Sequence, residues 1–119
     1  MGITTISAKI SNVENPQKQI SRKFMVDTGA AYTVVPHEVA KTLQLKTVKT
    51  QEFVLADGTS VKRKLGYAYV EIHGDRAPST VVLGEKGDSP LIGTVTLENM
   101  GLMVDPFKRQ LRPMRLMLA

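Results

Sequence analysis

The sequence predicts an all-β domain that contains one or two short helices. Two observations predict this class. Short apolar runs recur along the chain between turns rich in Gly, Pro, Asn and Asp, whereas long segments with helical periodicity are absent. The 119 residues also match one ordinary domain, with no linker, repeat or low-complexity tract, so we expect a single domain over residues 1–119.

The first half of the chain contains three predicted strands and a helix. The strands are predicted at residues 3–10, 21–26 and 32–35, with a turn-rich loop over residues 12–16. Pro36 suits the start of a short helix, because a proline in the first turn loses no helical hydrogen bond. Val39 and Leu43 then share one face of that helix.

The second half contains a predicted hairpin, further strands and a second helix. Asp57-Gly58 suits a tight turn between strands at residues 52–56 and 59–63, because both residues tolerate positive φ. Strands follow at residues 65–72 and 79–83, separated by the turn His73-Gly74-Asp75. A helix is predicted at residues 94–100 with Gly101 as its left-handed cap, and closing strands at residues 102–104 and 110–111.

The composition excludes several function classes. Without cysteine the chain has no disulfide, thiolate metal site or cysteine nucleophile, and its two histidines, His37 and His73, adjoin a helix start and a turn. The sequence has no phosphate-binding glycine loop and no Gly-x-Ser-x-Gly motif, so we expect no cofactor and no metal. No apolar run approaches the ~20 residues of a membrane span, and residues 1–10 do not resemble a secretory signal. We therefore expect a cytoplasmic protein without a membrane partner.

The formal net charge of +5 is interpreted mainly as a contribution to solubility. The densest basic run, Lys62-Arg63-Lys64, contains no aromatic residue that could stack on a base. We do not expect nucleic acid as a partner.

Asp27 is the most informative residue for function. It lies between the apolar run Phe24-Met25-Val26 and the apolar stretch that begins at Ala30, so we expect the loop Asp27-Thr28-Gly29 to lie against the core. A carboxylate there needs hydrogen bonds or a proton, and Thr28 could supply one hydrogen bond. Gly29 permits a tight turn and the close approach of another chain, and Ala30 keeps that space open.

These residues resemble the signature of the retroviral-type (retropepsin-like) aspartic proteases, and particularly of their small prokaryotic members. The run Phe24-Met25-Val26-Asp27-Thr28-Gly29-Ala30 is similar to the family's apolar run followed by Asp-Thr/Ser-Gly-Ala/Ser. Leu91-Ile92-Gly93 is similar to its second marker, and residues 97–111 resemble the C-terminal region of microbial members.

The resemblance implies a closed, barrel-like β fold that acts as a homodimeric aspartic endopeptidase on extended peptides. By this resemblance, Asp27 would be the single catalytic residue of each subunit. The sequence supports the dimer, because the chain has no second Asp-Thr-Gly or Asp-Ser-Gly and cannot assemble a two-aspartate site alone. Thr28 would hold the two active-site loops together, and the Gly29 backbone would bind the peptide. The predicted hairpin would be the flap that closes over substrate. The implied substrate-binding residues of flap and wall are Leu55, Ala56, Asp57, Gly58, Thr59, Leu91 and Ile92.

The sequence departs from the retroviral pattern in three places. The hairpin has a single turn glycine, Gly58, whereas retroviral flaps are glycine-rich. Ala31 and Thr94 occupy the positions of an aspartate and an arginine that form an ion pair in retroviral enzymes. Residues 112–119 form an extension with Met114, Leu116 and Met117, which could pair at a dimer interface or fray.

Two other functions remain open from sequence. One is a protease-like β-barrel that binds or assembles without turnover and uses Lys62-Arg63-Lys64 to engage acidic partners. The other is a small basic nucleic-acid-binding barrel, whose binding would weaken steeply with salt. Loss of peptide cleavage in an Asp27→Asn variant would distinguish the protease from both.

Overall fold

The computed structural model describes residues 3–119, so the first two residues of the expected domain lie outside the described residues. Strands account for 49% of the described residues and helices for 11%, which confirms the mainly β prediction. The nine strands and two helices of the described part are β1 Thr4–Ser11, β2 Gln19–Val26, β3 Thr33–Val35, α1 His37–Thr42, β4 Lys49–Val54, β5 Ser60–Ile72, β6 Asp75–Leu83, β7 Leu91–Ile92, α2 Thr94–Met100, β8 Leu102–Asp105 and β9 Gln110–Pro113.

Seven of these strands form one sheet, and β8 and β9 form a second, two-stranded sheet. The order in the large sheet is β1-β2-β7-β3-β6-β5-β4, and β1 also pairs with β5. The short strand β7 lies between β2 and β3, parallel to β2 with Val26 opposite Ile92. This insertion brings the end of β2, where Asp27 follows, next to the segment that leads into α2.

The core is built from alternate strand residues and from one face of each helix. In β1 the inward positions are Ala8 and Ile10, which alternate with more exposed residues as the period of a strand requires. Val39 and Leu43 of the first helical segment are buried together, as their spacing predicts. The fully or almost fully buried side chains with the largest volumes are Phe24, Ile10, Leu43, Leu65 and Ile92.

Four predicted strands differ from the structure by more than two residues at one end. The first strand of the hairpin, predicted at residues 52–56, is β4, Lys49–Val54. Residues 59–63 and 65–72 form one continuous strand, β5, rather than two. Strand β6 begins at Asp75 rather than Ser79, because its polar first half pairs with β5 as regularly as its apolar second half. The sequence pattern located only the apolar half.

The turn between β4 and β5 is also longer than predicted. Only Gly58 has positive φ, at 88°, and its N–H donates to Leu55 O, so the turn spans Leu55 to Thr59 rather than Asp57-Gly58 alone. Asp57 Oδ1 accepts hydrogen bonds from the Thr59 hydroxyl and backbone N–H, which lower the pKa of this exposed carboxyl. The two-residue turn with positive φ at both positions occurs instead at His73-Gly74.

The second helix agrees more closely with expectation. Helix α2 covers the predicted residues and ends at Gly101, whose φ of 65° is left-handed. Residues beyond Pro113 have no regular structure, although Met114 N–H donates to Gly101 O. In residues 3–119 no helix is both long and apolar enough to cross a bilayer.

Candidate active site

Asp27 is positioned by its backbone at the junction of β2 and β7. Its N–H donates to Ile92 O at 3.0 Å, which extends the parallel pairing by one residue beyond β2. Its Oδ1 accepts the Gly29 N–H at 2.8 Å, and its backbone oxygen accepts the Ala30 N–H at 3.2 Å. The carboxylate orientation is therefore fixed by the loop that follows it.

The loop is more exposed than the sequence predicts. Asp27 is half-buried, whereas Thr28 and Gly29 are exposed in the single chain. The apolar residues on both sides of the loop predict that it lies against the core. This prediction is wrong for Thr28 and Gly29. The Thr28 hydroxyl was expected to donate to the Asp27 carboxylate. In the described structure the carboxylate accepts a hydrogen bond from the Gly29 N–H instead.

The start of α2 braces the active-site loop. The first N–H groups of a helix have no partner within the helix, and here those of Thr94 and Val95 donate to Ala30 O and Ala31 O, both at 2.9 Å. These backbone hydrogen bonds join residues 30–31 to residues 94–95, the two segments in which Ala31 and Thr94 occupy the places of an aspartate and an arginine in the retroviral pattern. The backbone at Gly93 lies very close to the backbone of Tyr32, since a Cβ added to Gly93 would be only 2.5 Å from the Tyr32 carbonyl carbon. Glycine leaves room for this contact.

A chain of three buried hydroxyls lies behind this brace. Thr33 Oγ1 accepts the Gly93 N–H and lies 2.6 Å from Thr96 Oγ1, which lies 2.8 Å from Ser79 Oγ. Ser79 donates to Thr80 O. Because each hydroxyl has one proton, the chain runs in one direction, with Thr33 donating to Thr96 and Thr96 donating to Ser79. Sequence reasoning missed these residues, which lie on three different elements.

Asp27 lines a cavity of about 480 Å³ that the β4–β5 hairpin also lines. The predicted site residues that the structure brings to this cavity are Asp27, Gly29, Ala30, Leu55, Ala56 and Leu91. Its further apolar lining includes Tyr32 and Phe53, whose rings meet edge to face with centroids 6.1 Å apart. This contact joins the active-site loop to the hairpin.

Four predicted site residues lie elsewhere. Ile92 is fully buried in the core, so its side chain is not part of the cavity wall. Asp57, Gly58 and Thr59 are exposed at the tip of the hairpin, outside the cavity lining.

Thr28 lines a second cavity of about 370 Å³, on which Asp27 also borders. The other lining residues are Ile3, Thr4, Met25, Val26, Val104 and Pro106. Asp27 therefore borders both cavities, one lined by the hairpin and one formed near the first strand and the β8–β9 turn.

An ion pair that the sequence did not reveal lies in the wall of the larger cavity. Arg63 Nε and Nη2 donate to Asp88 Oδ2 and Oδ1 at 2.7 and 2.9 Å, and each side chain is only 23% exposed. The hydrogen bond from Arg63 holds the pKa of Asp88 below its usual range. Arg63 is thus neutralised within the basic run proposed to engage acidic partners. One sequence signal could have indicated this position. Side chains alternate between the two faces of a strand, so Arg63 shares a face with Val61, which also lines the cavity.

Within the part of the chain that the structure describes, no three His, Asp or Glu side chains converge as metal ligands would. His37 lies near the carbonyl of Gly84, with Nδ1 3.2 Å from that oxygen. Asp27 borders the cavity of about 480 Å³, and the other carboxylate in its lining, Asp88, is paired with Arg63.

Comparison with known proteins identifies the family. No curated protein matches the chain. The sequence profile of the family described as gag-polyprotein putative aspartyl protease matches residues 16–99, a segment that contains Asp27, the hairpin and Gly93. Since this segment is more than half of the chain, the protein belongs to the gag-polyprotein aspartyl protease family.

Proposed function

We propose that the protein is a homodimeric aspartic endopeptidase in which the Asp27 carboxylates of two subunits activate a water molecule. The observation that carries this proposal is the position of Asp27, half-buried and bordering both the hairpin-covered cavity and the second cavity. A carboxylate in that position can face a peptide on one side and a second subunit on the other.

A second copy is required because one chain supplies one suitable carboxylate. Asp57 belongs to the exposed hairpin tip and Asp88 is paired with Arg63. Exposed Thr28, at the border of the second cavity, suits the contact between the two active-site loops that the family resemblance implies.

The C-terminal tail supports association of two chains. Leu116, Met117 and Leu118 are 68%, 87% and 100% exposed, and Ile3 at the opposite end of the described chain is 67% exposed. Burial of such side chains contributes about 1.5 to 3 kcal/mol each. We therefore place residues 114–119 at the interface between subunits.

The chemistry follows from two carboxylates held close together. At about 3 Å and an effective dielectric constant of ~20 they repel by roughly 5 kcal/mol, so the pair retains one proton, as is general for aspartic proteases. The ionised member removes a proton from the bound water while the protonated member donates to the carbonyl oxygen of the peptide bond. The water oxygen attacks the carbonyl carbon, and cleavage of the C–N bond follows once the leaving nitrogen is protonated.

The β4–β5 hairpin would act as the flap over an extended peptide. Leu55 and Ala56 line the cavity, and exposed Asp57, Gly58 and Thr59 form the tip that would reach toward the substrate. Leu91 and the Gly29 backbone would form the opposite side. The pairing of β1 with both β2 and β5 supports the closed, barrel-like sheet. The resemblance of residues 97–111 to the C-terminal region of microbial members supports a place among the small prokaryotic members.

The test is cleavage of a degenerate library of internally quenched peptides by the parent and by Asp27→Asn. The variant keeps the side-chain size and should fold and dimerise but lose cleavage. Asp75→Asn is the matched control, because Asp75 is exposed at the first position of β6, outside the lining of the Asp27 cavity, and should leave cleavage unchanged. Equal cleavage by Asp27→Asn and the parent would contradict the proposal. Peptide binding without turnover by the parent would favour the binding module instead.

A further inference from the structure

The Arg63–Asp88 pair joins two segments that are far apart in sequence. Arg63 lies in β5 at the base of the β4–β5 hairpin, opposite Gln51 of β4. Asp88 lies in the loop over residues 84–90 that leads into β7. Both residues line the Asp27 cavity, so the ion pair spans from the hairpin to the segment that carries the opposite wall.

The geometry of the pair is specific rather than incidental. Two parallel N–H···O hydrogen bonds form between the planar guanidinium and the carboxylate, and Arg63 Nη1 donates to Lys62 O at 2.9 Å. Asp88 Oδ2 also accepts the Glu85 N–H at 2.8 Å. Both carboxylate oxygens are therefore engaged, and the pair is a link within the protein rather than a subsite for a charged substrate group.

The loop end of this link connects directly to the catalytic strand. Asp88 N–H donates to Glu85 O, which folds the loop, and the next residues continue into β7. Pro90 O accepts the Met25 N–H and Ile92 O accepts the Asp27 N–H. A continuous series of contacts thus runs from the hairpin through Arg63, Asp88 and β7 to the backbone of Asp27.

We propose that Arg63 and Asp88 are positioning residues that hold the β4–β5 hairpin in register with Asp27 and thereby set the affinity for the peptide. The inference rests on the proposed function. β4 is an edge strand that pairs with β5 alone, and the hairpin residues from Val54 to Ser60 are exposed, so few other contacts fix the hairpin. Within residues 3–119, the Tyr32–Phe53 ring contact and the Arg63–Asp88 ion pair both link the hairpin to the opposite side of the cavity.

The experiment compares kinetics and backbone hydrogen exchange in the parent, Arg63→Ala, Arg63→Lys and Lys62→Ala. Arg63→Ala should raise KM for a cleaved peptide about tenfold while kcat changes less than about threefold, because hydrogen bonds to a charged group are lost away from the reacting atoms. Arg63→Lys keeps the charge without the two parallel bonds and should recover part of the lost affinity. Lys62→Ala is the matched control, since the Lys62 side chain is exposed on the adjacent strand position.

Hydrogen exchange separates this inference from the proposed function. In Arg63→Ala the amides of residues 49–63 should exchange faster, while those of β1 and β2 should not change. Unchanged KM and unchanged hairpin exchange, or equal effects of Lys62→Ala, would overturn the inference. A fall in kcat with unchanged KM would also overturn it. If the parent cleaves no peptide, the proposed function fails, but the exchange experiment still tests the positioning role. Faster hairpin exchange in Arg63→Ala would then support that role, and unchanged exchange would refute it.

Discussion

Replacing Thr96 with valine removes the middle hydroxyl of the buried chain that joins α2 to β3 and β6. The shape of the side chain is kept, so the variant tests the hydrogen bonds rather than the packing. Two bonds are lost, at 2.6 Å to Thr33 and 2.8 Å to Ser79, and all three residues are at most 4% exposed.

The loss of stability in Thr96→Val follows from the direction of the hydrogen bonds between the three hydroxyls. Ser79 still donates to Thr80 O, but the Thr33 proton loses its acceptor in a buried site. A buried donor without a partner costs about 1 to 3 kcal/mol. We therefore expect Thr96→Val to lower the free energy of unfolding by about 2 kcal/mol.

Urea denaturation followed by far-ultraviolet circular dichroism measures this change, with all proteins at one concentration because the proposed dimerisation would make stability depend on concentration. Thr94→Val is the matched control, since Thr94 is half-buried and contributes its backbone N–H to the brace. It should change stability by less than about 0.5 kcal/mol. Equal effects of the two substitutions would refute the hydroxyl chain as a stabilising unit.

Three further predictions concern the brace, the ion pair and the tail. Gly93→Ala should destabilise the protein by more than about 2 kcal/mol in the same denaturation assay, because its Cβ would lie 2.5 Å from the Tyr32 carbonyl carbon; a change below about 0.5 kcal/mol would contradict the close approach. Arg63 lowers the Asp88 pKa, so the stability advantage of the parent over Asp88→Asn should be complete near neutral pH and shrink as pH falls below about 4; a constant advantage from pH 7 to pH 3 would refute it. Deletion of residues 114–119 should weaken dimerisation at least about tenfold in sedimentation experiments, whereas an unchanged dissociation constant would exclude the tail from the interface.

Much of the fold could be predicted from local patterns. Alternation located β1, and Gly101 marked the end of α2 because only a left-handed residue closes that helix. Asp27 stood out because a carboxylate interrupts an apolar run. These signals are contained within a few consecutive residues.

The remaining features depend on register and tertiary contacts. Arg63 meets Asp88 only because β5 and the loop before β7 are brought together, and a basic run alone suggests a solvated surface. The exposure of Thr28 and Gly29 in the single chain was not predicted either. Apolar neighbours predict burial, but they do not indicate whether the covering surface belongs to the same chain or to a second one.

The most direct test of the paired Asp27 carboxylates is subunit mixing. Parent and Asp27→Asn proteins are mixed at constant total concentration, allowed to exchange subunits, and assayed for peptide cleavage. If each site needs both carboxylates, activity follows the square of the parent fraction and falls to about one quarter in an equal mixture. A linear dependence, with about one half of the activity remaining in the same exchanged mixture, would show that each chain acts alone and would contradict the account.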